Sequence, residues 1–306
     1  MEDVKHRKSI MDKIRKNVSL SGYTTFKVGG PADYLVEIEN KFEFKEAIQW
    51  SIERGIRYFI LGKGSNVLFS DDGYRGLIIY TGGYRRIFGI DNRVIAEAGA
   101  VIDKLIDYAA DNSLTGLEFL AGLPGSVGGA VYMNARAYGG EISKVITEGR
   151  VLIVDEKDKK IKEAKLSRED MGFSYKKSIF QDVNIYLMEA VFFLKKGNPL
   201  EIKEKISEIR TLRKSKGEYL FPNAGCIFKN DYSVGKSSGR IIDECGLKGM
   251  RVGKAEVYEK HANFIINKGG ANASDIYKLI NLIEEEVRRK TGIKLQREIV
   301  LVGFDK

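Results

Sequence analysis

Four glycines fall within the eight residues Gly122-Leu123-Pro124-Gly125-Ser126-Val127-Gly128-Gly129, and no other segment restricts the possible folds as much. Glycine lets backbone N–H groups approach phosphate oxygens with no Cβ in the way. An elaborate turn would account for one or two of these glycines but not for four. The run leads into Met133-Asn134-Ala135. A second segment, Gly62-Lys63-Gly64-Ser65-Asn66, directly follows the apolar run Tyr58-Phe59-Ile60-Leu61. Neither standard nucleotide motif fits. Val67 occupies the last glycine place of G-x-G-x-x-G, and Val234-Gly235-Lys236-Ser237 resembles the end of a Walker loop whose first glycine is here Asn230. Together the two loops predict a pyrophosphate clamp built from backbone amides.

The apolar periodicity predicts α+β rather than regular βαβ. Phe44, Ala47, Ile48 and Ile52 share one helical face that stops near Gly55, and the run ending at Leu61 reads as a buried strand. Gly76 to Tyr80 and Val94 to Ala96 read as short strands, followed by a helix with Ile102, Leu105, Ile106 and Ala109 inward. The stretch Gly149 to Leu166 looks like a hairpin around Asp155 to Lys159, and Tyr186 to Leu194 like another strand. A helix from Pro199 presents Ile202, Ile206 and Ile209. The clearest amphipathic helix carries Ile276, Leu279, Ile280, Ile283 and Val287, with Ser274 or Asp275 to cap it and Gly292 to end it. Glu298 to Val302 reads as a last strand.

At 306 residues and 43% hydrophobic content, the chain can bury enough for two or three subdomains. Met1 to Asn17 lacks the apolar centre of a signal peptide, and no run is long and apolar enough to span a bilayer. Cys226 and Cys245 are too few for a disulfide framework and lack metal-ligand spacing, so a reducing cytoplasm is expected and no metal. The net charge of +9 suits a polyanionic ligand. Basic residues are mixed with acidic ones, as in Glu201 to Lys216, without a tail or basic-aromatic stripe. That spread argues for solvated surface plus a small anionic ligand, and against nucleic acid.

Longer motifs carry a resemblance. Thr25 to Ala32, Gly62 to Leu68, Gly122 to Gly139, Asn223 to Asn230, Gly246 to Gly249 and His261 to Phe264 follow the order found in the UDP-N-acetylenolpyruvoylglucosamine reductases (the MurB family). Absence of a large insertion after Tyr186 suits the shorter of that family's two types. The resemblance implies a two-part FAD-binding region of the vanillyl-alcohol-oxidase (PCMH) type plus a smaller α+β substrate-binding domain. The expected division is residues 1–80, completed by 293–306, then 81–198, then 199–292. It implies an oxidoreductase in which non-covalent FAD takes hydride from NADPH and reduces the C=C bond of UDP-N-acetylglucosamine-enolpyruvate, giving UDP-N-acetylmuramate for peptidoglycan. No membrane insertion and no obligate protein partner are implied.

By the same resemblance, FAD is held by Gly62, Lys63, Gly64, Ser65 and Asn66, and by Gly122, Pro124, Gly125, Ser126, Gly128 and Gly129. Cys226 stands where the family places its proton donor; an unmodified thiol titrates near about 8.5 and is protonated at neutrality. Read from spacing alone, Cys226 is equally a small core residue, as Cys245 is taken to be. By the resemblance, Glu298 matches the family's glutamate near the carboxyl terminus, which helps polarise the intermediate or position the acid, though it also reads as the solvated start of a strand. Lys176 departs from the family's Tyr-Arg-x-Ser, here Tyr175-Lys176-Lys177-Ser178. Lysine offers one compact charge where arginine offers a bidentate fork, and either Lys176 or Lys177 can fill the electrophile's place. Lys229, Asn230 and His261 are the substrate-binding candidates. The rival readings are a same-fold flavin oxidase of an alcohol or hydroxy acid and a non-catalytic nucleotide-binding protein. Many such oxidases attach FAD to a histidine in the amino-terminal half, where this chain has only His6.

Overall fold

The structure is a computed structural model that describes residues 9–304. The reading of Met1 to Asn17 therefore lies partly outside the described residues, and that of His6 wholly so. The chain divides into two compact units that interleave along the sequence. One unit holds Ala32–Lys63 and Arg75–Arg210 with the amino-terminal residues up to Val18, and the other holds Ser19–Pro31, Gly64–Tyr74 and the residues from Thr211 on.

The first unit is built on two sheets. A four-stranded sheet runs in the order Arg15–Ser19, Pro31–Glu37, Tyr74–Tyr80, Tyr58–Leu61, with the last two parallel. Helix Lys41–Glu53 forms as its apolar spacing predicts: Asn40 Oδ1 accepts the amides of Phe42 and Glu43, and Phe44, Ala47, Ile48 and Ile52 are buried with Leu77 and Ile79. The strand Tyr58–Leu61 is mostly half-buried, with only Leu61 enclosed. A five-stranded antiparallel sheet runs Lys160–Ser167, Ile146–Asp155, Ile185–Phe193, Arg93–Glu97, Ile87–Ile90. Helix Ile102–Asp111, the short helix Val127–Tyr132 and the start of helix Pro199–Ser215 share one core with it through Leu105, Ile106, Val131, Phe192, Ile202 and Ile206.

In the second unit, strands Asn223–Cys226, Phe264–Asn267, Ala255–Val257 and Arg251–Val252 lie in that order, and helix Ala273–Thr291 shares their core through Ile276, Leu279, Ile280, Ile283 and Val287. Strand Val300–Val302 pairs in parallel with Val67–Phe69. Two expectations change here. The helix cap is Asn272, which forms a capping box with Asp275, while Asp71 Oδ1 accepts the amide of Ala273 (2.8 Å) and its Oδ2 that of Ser274 (2.8 Å). Asp71 is remote in sequence, so local spacing cannot reveal it. The carboxyl-terminal run is not one strand: Gln296–Arg297 and Val300–Val302 pair with different partners, and Glu298 and Ile299 lie between them.

Candidate active site

In the second unit, the break in that run is what places Glu298. Its amide donates to the Ile227 carbonyl (2.7 Å), with a longer bond from Ile299 N (3.4 Å), so Glu298 lies beside the residue that follows Cys226. Neighbouring Arg297 is tied away by Glu284 and Asn281, and its guanidinium lies 5.7 Å from the Tyr277 ring. Cys226 ends its strand opposite Phe264, just after an irregularity in the pairing between Asn223 and Cys226. Gly225 at φ 71° makes the irregularity, and Asn223 holds it by accepting the Gly225 amide (2.9 Å) and donating to the carbonyls of Glu218 and Phe221 (2.8 Å each). Irregular pairing of this kind re-aims a side chain away from the strict up-and-down alternation of a regular ladder. Cys226 is half-buried among Phe221, Tyr258 and Phe264, and neither cysteine is in a disulfide.

Asn263 completes the support. It is 3% exposed, its Oδ1 accepts Phe228 N (2.9 Å) and its Nδ2 donates to Phe228 O (2.8 Å), so one side chain pairs with the backbone as a strand would. Asn66, expected on the cofactor, donates from Nδ2 to the Glu298 carbonyl (3.1 Å) and accepts Val300 N on its own carbonyl (3.0 Å). His261 packs its ring on Phe264 at 4.3 Å; burial pushes its pKa below the usual imidazole value, and its Nδ1 is buried without a partner among the described residues. Asn230 Oδ1 accepts Ser238 N (2.9 Å) at the start of helix Ser238–Glu244, while Lys229 is half-buried and makes no ion pair among the described residues.

In the first unit, the two glycine segments meet. A Cβ at Gly62 would stand 2.2 Å from Ser126 Oγ, so glycine there lets loop approach loop as well as ligand. Gly64, in the second unit, has φ 62° and would put a Cβ 2.1 Å from the Tyr23 carbonyl. The Gly122–Gly129 segment is pinned by its own amides: Gly122 N to Asp103 Oδ1 (2.9 Å), Val127 N to Ala100 O (2.8 Å), Gly128 N to Ala98 O (2.7 Å) and Gly129 N to Ser126 Oγ (3.3 Å). Among the described residues the amides of Gly125 and Ser126 meet no protein acceptor. A crevice with no room for a Cβ and two adjacent uncommitted amides suits an anionic oxygen, as a dinucleotide would supply.

Lys176 also lies in the first unit, half-buried in a tight turn with φ 56°, while Lys177 is exposed and paired with Asp182 (3.0 Å). Asn134 and Gln181 bond to the backbone of this turn. The sequence motifs do not mark either as a site residue, although Asn134 lies five residues after Gly129, in the run Met133-Asn134-Ala135.

Residues 216–302 match the family model for the UDP-N-acetylenolpyruvoylglucosamine reductase C-terminal domain, and residues 32–157 match an FAD binding domain. A UDP-N-acetylenolpyruvoylglucosamine reductase of Clostridium novyi is 42% identical over 98% of this chain and 96% of its own. The chain belongs to the UDP-N-acetylenolpyruvoylglucosamine reductase family. The Borreliella burgdorferi reductase is likewise 42% identical over 94% of this chain and 93% of its own. The crystal structure of the Thermus caldophilus family member superposes with a TM-score of 0.78 at 34% identity, over 94% of this chain and 99% of that one. The reductase is thus an FAD-dependent oxidoreductase with the α+β, PCMH-type FAD-binding fold that the resemblance implied. No helix of the described residues is long and apolar enough to cross a membrane, and no cluster among them is suited to a metal.

Proposed function

We propose that, in reducing UDP-N-acetylglucosamine-enolpyruvate with NADPH, the reductase uses Cys226 as proton donor, Glu298 to hold and polarise, and Lys176 as electrophile. When bound, FAD would supply the hydride chemistry, with NADPH as the source and the terminal carbon of the enolpyruvyl C=C bond as the acceptor. Negative charge then gathers on the neighbouring carbon and its carboxylate, which calls for a cation and an acid at fixed places. The Cys226 thiol donates its proton to that carbon, and the Lys176 ammonium offsets the carboxylate charge. Lys229 and His261 meet the UDP moiety, and Asn230 shapes the loop that carries Lys229. Gly62 to Gly64 and the amides of Gly125 and Ser126 receive the FAD pyrophosphate. The reading places the protein in the cytoplasm and calls for no nucleic acid and no second protein.

The observation that supports it is the 2.7 Å bond from Glu298 N to Ile227 O, which sets the Glu298 backbone beside the residue that follows Cys226. Stopped-flow absorbance of the flavin tests it by following each half of the reaction. Lys176→Met is expected to leave bleaching by NADPH near the parent rate and to slow recovery of colour with the enolpyruvyl substrate. Normal recovery in that variant would remove Lys176 from the chemistry.

A further inference from the structure

Lys176 has a charge but no fork, so its aim has to come from its backbone. That backbone is left-handed, with φ 56°, in a turn closed by Ser174 N to Lys177 O (3.1 Å) and Lys177 N to Ser174 O (3.2 Å). Lysine rarely stays in this region unless its surroundings over-determine it. Two amide side chains do so. Asn134 Nδ2 donates to the Ser174 carbonyl (2.9 Å), while its Oδ1 accepts Ser143 N (3.0 Å) and the residue is 3% exposed. Gln181 Nε2 donates to the Lys176 carbonyl (3.1 Å) and to the Tyr132 carbonyl (2.7 Å). Ser178 Oγ, from a residue with no exposure, donates to that same Tyr132 carbonyl (2.7 Å). The turn is therefore bolted to the end of helix Val127–Tyr132, whose other end is the glycine-rich segment.

We infer that Asn134 and Gln181 are positioning residues for Lys176, holding its Cα–Cβ direction and supplying the geometric control that a lysine lacks at a place where the family has an arginine. The inference rests on the role proposed above for Lys176. Neither residue donates or accepts a proton in the reaction; each acts through the backbone of residues 174–176.

The test is a double-mutant cycle on the full-length, FAD-loaded enzyme with Lys176→Met as the second background. Gln181→Met removes both donors at similar length. Asn134→Asp keeps the acceptor for Ser143 N and loses the donor to Ser174 O. Each is expected to lower kcat and the rate of flavin recovery with substrate by about tenfold, within the ~10²-fold that a misplacement of about 1 Å costs. Flavin content, the rate of bleaching by NADPH and the KM for NADPH should stay at parent values. In the Lys176→Met background the same substitutions should cost nothing further. Equal losses in both backgrounds, or no loss in the parent background from either variant, would overturn the inference. Should Gln181→Met fail to retain FAD, the Asn134→Asp cycle decides by the same criterion. Failure of the Lys176 assignment is seen separately, as full activity of Lys176→Met alone.

Discussion

Cys226 is one of two cysteines, and only its setting separates it from Cys245. Both read as small apolar residues in isolation, but Cys245 is buried in the core of the second unit, whereas Cys226 is half-buried just after the irregularity at Gly225 and precedes Ile227, whose carbonyl accepts the Glu298 amide. Cys226→Ala is expected to bleach with NADPH at close to the parent rate and to recover colour about 10²–10⁴-fold more slowly, the usual cost of losing a general acid. Cys226→Ser should regain much of that, because its hydroxyl donates from the same place. Recovery in Cys226→Ala at the parent rate, followed by stopped flow, would show the thiol to be packing. The pH dependence of stability depends in part on His261. Burial favours its neutral form and depresses its folded pKa. The unfolded imidazole titrates near about 6.5, so below that pH the unfolded state binds the extra proton and stability falls. Thermal melts should therefore decline from pH 7.5 to pH 5.5, and His261→Phe should flatten part of that decline; an unchanged slope would show that other groups carry it.

Among the elements, the helices were the most legible. The 3.6-residue spacing of Ile276, Leu279, Ile280, Ile283 and Val287 matches a helix that buries all five, because amphipathic spacing survives any tertiary arrangement that covers one face. Its start lies earlier than a cap at Ser274 or Asp275 would put it: the capping side chain is Asn272, and a further carboxylate, Asp71, arrives from 201 residues earlier in the chain than the helix cap, accepting two amides and the Ser274 hydroxyl. Asn272→Ala should destabilise the protein by about 1 kcal/mol, and Asp71→Ala by nearer ~2 kcal/mol, the upper end for a cap, because Asp71 serves several donors. Denaturant melts with unchanged m-values would confirm this. The glycine loops call for a different test. Gly62→Ala would set a Cβ 2.2 Å from Ser126 Oγ, so it should lower flavin content and stability together, and full occupancy would show that the loops can separate without cost.

For the whole molecule, FAD counts as part of the folding free energy. A ligand that binds only the native state adds about 2.7 kcal/mol at a hundredfold excess over its Kd, so the stripped protein should melt lower than the holoprotein and recover with added FAD. Acid precipitation should release all the flavin to the supernatant; retention in the pellet would favour the covalent chemistry of the rival oxidase reading. Segments from three parts of the sequence make up each unit. The sequence by itself determined the α+β class, the helices with their apolar faces, the two glycine segments and the family, because periodicity, backbone permissiveness and long ordered motifs are local properties. Only the tertiary structure decided that Glu298 stands beside Ile227, that Asn66 braces Glu298 and that Asn134 and Gln181 hold the turn of Lys176. Those bonds join residues far apart in sequence or depend on where one side chain points, and neither spacing nor composition records such a relation.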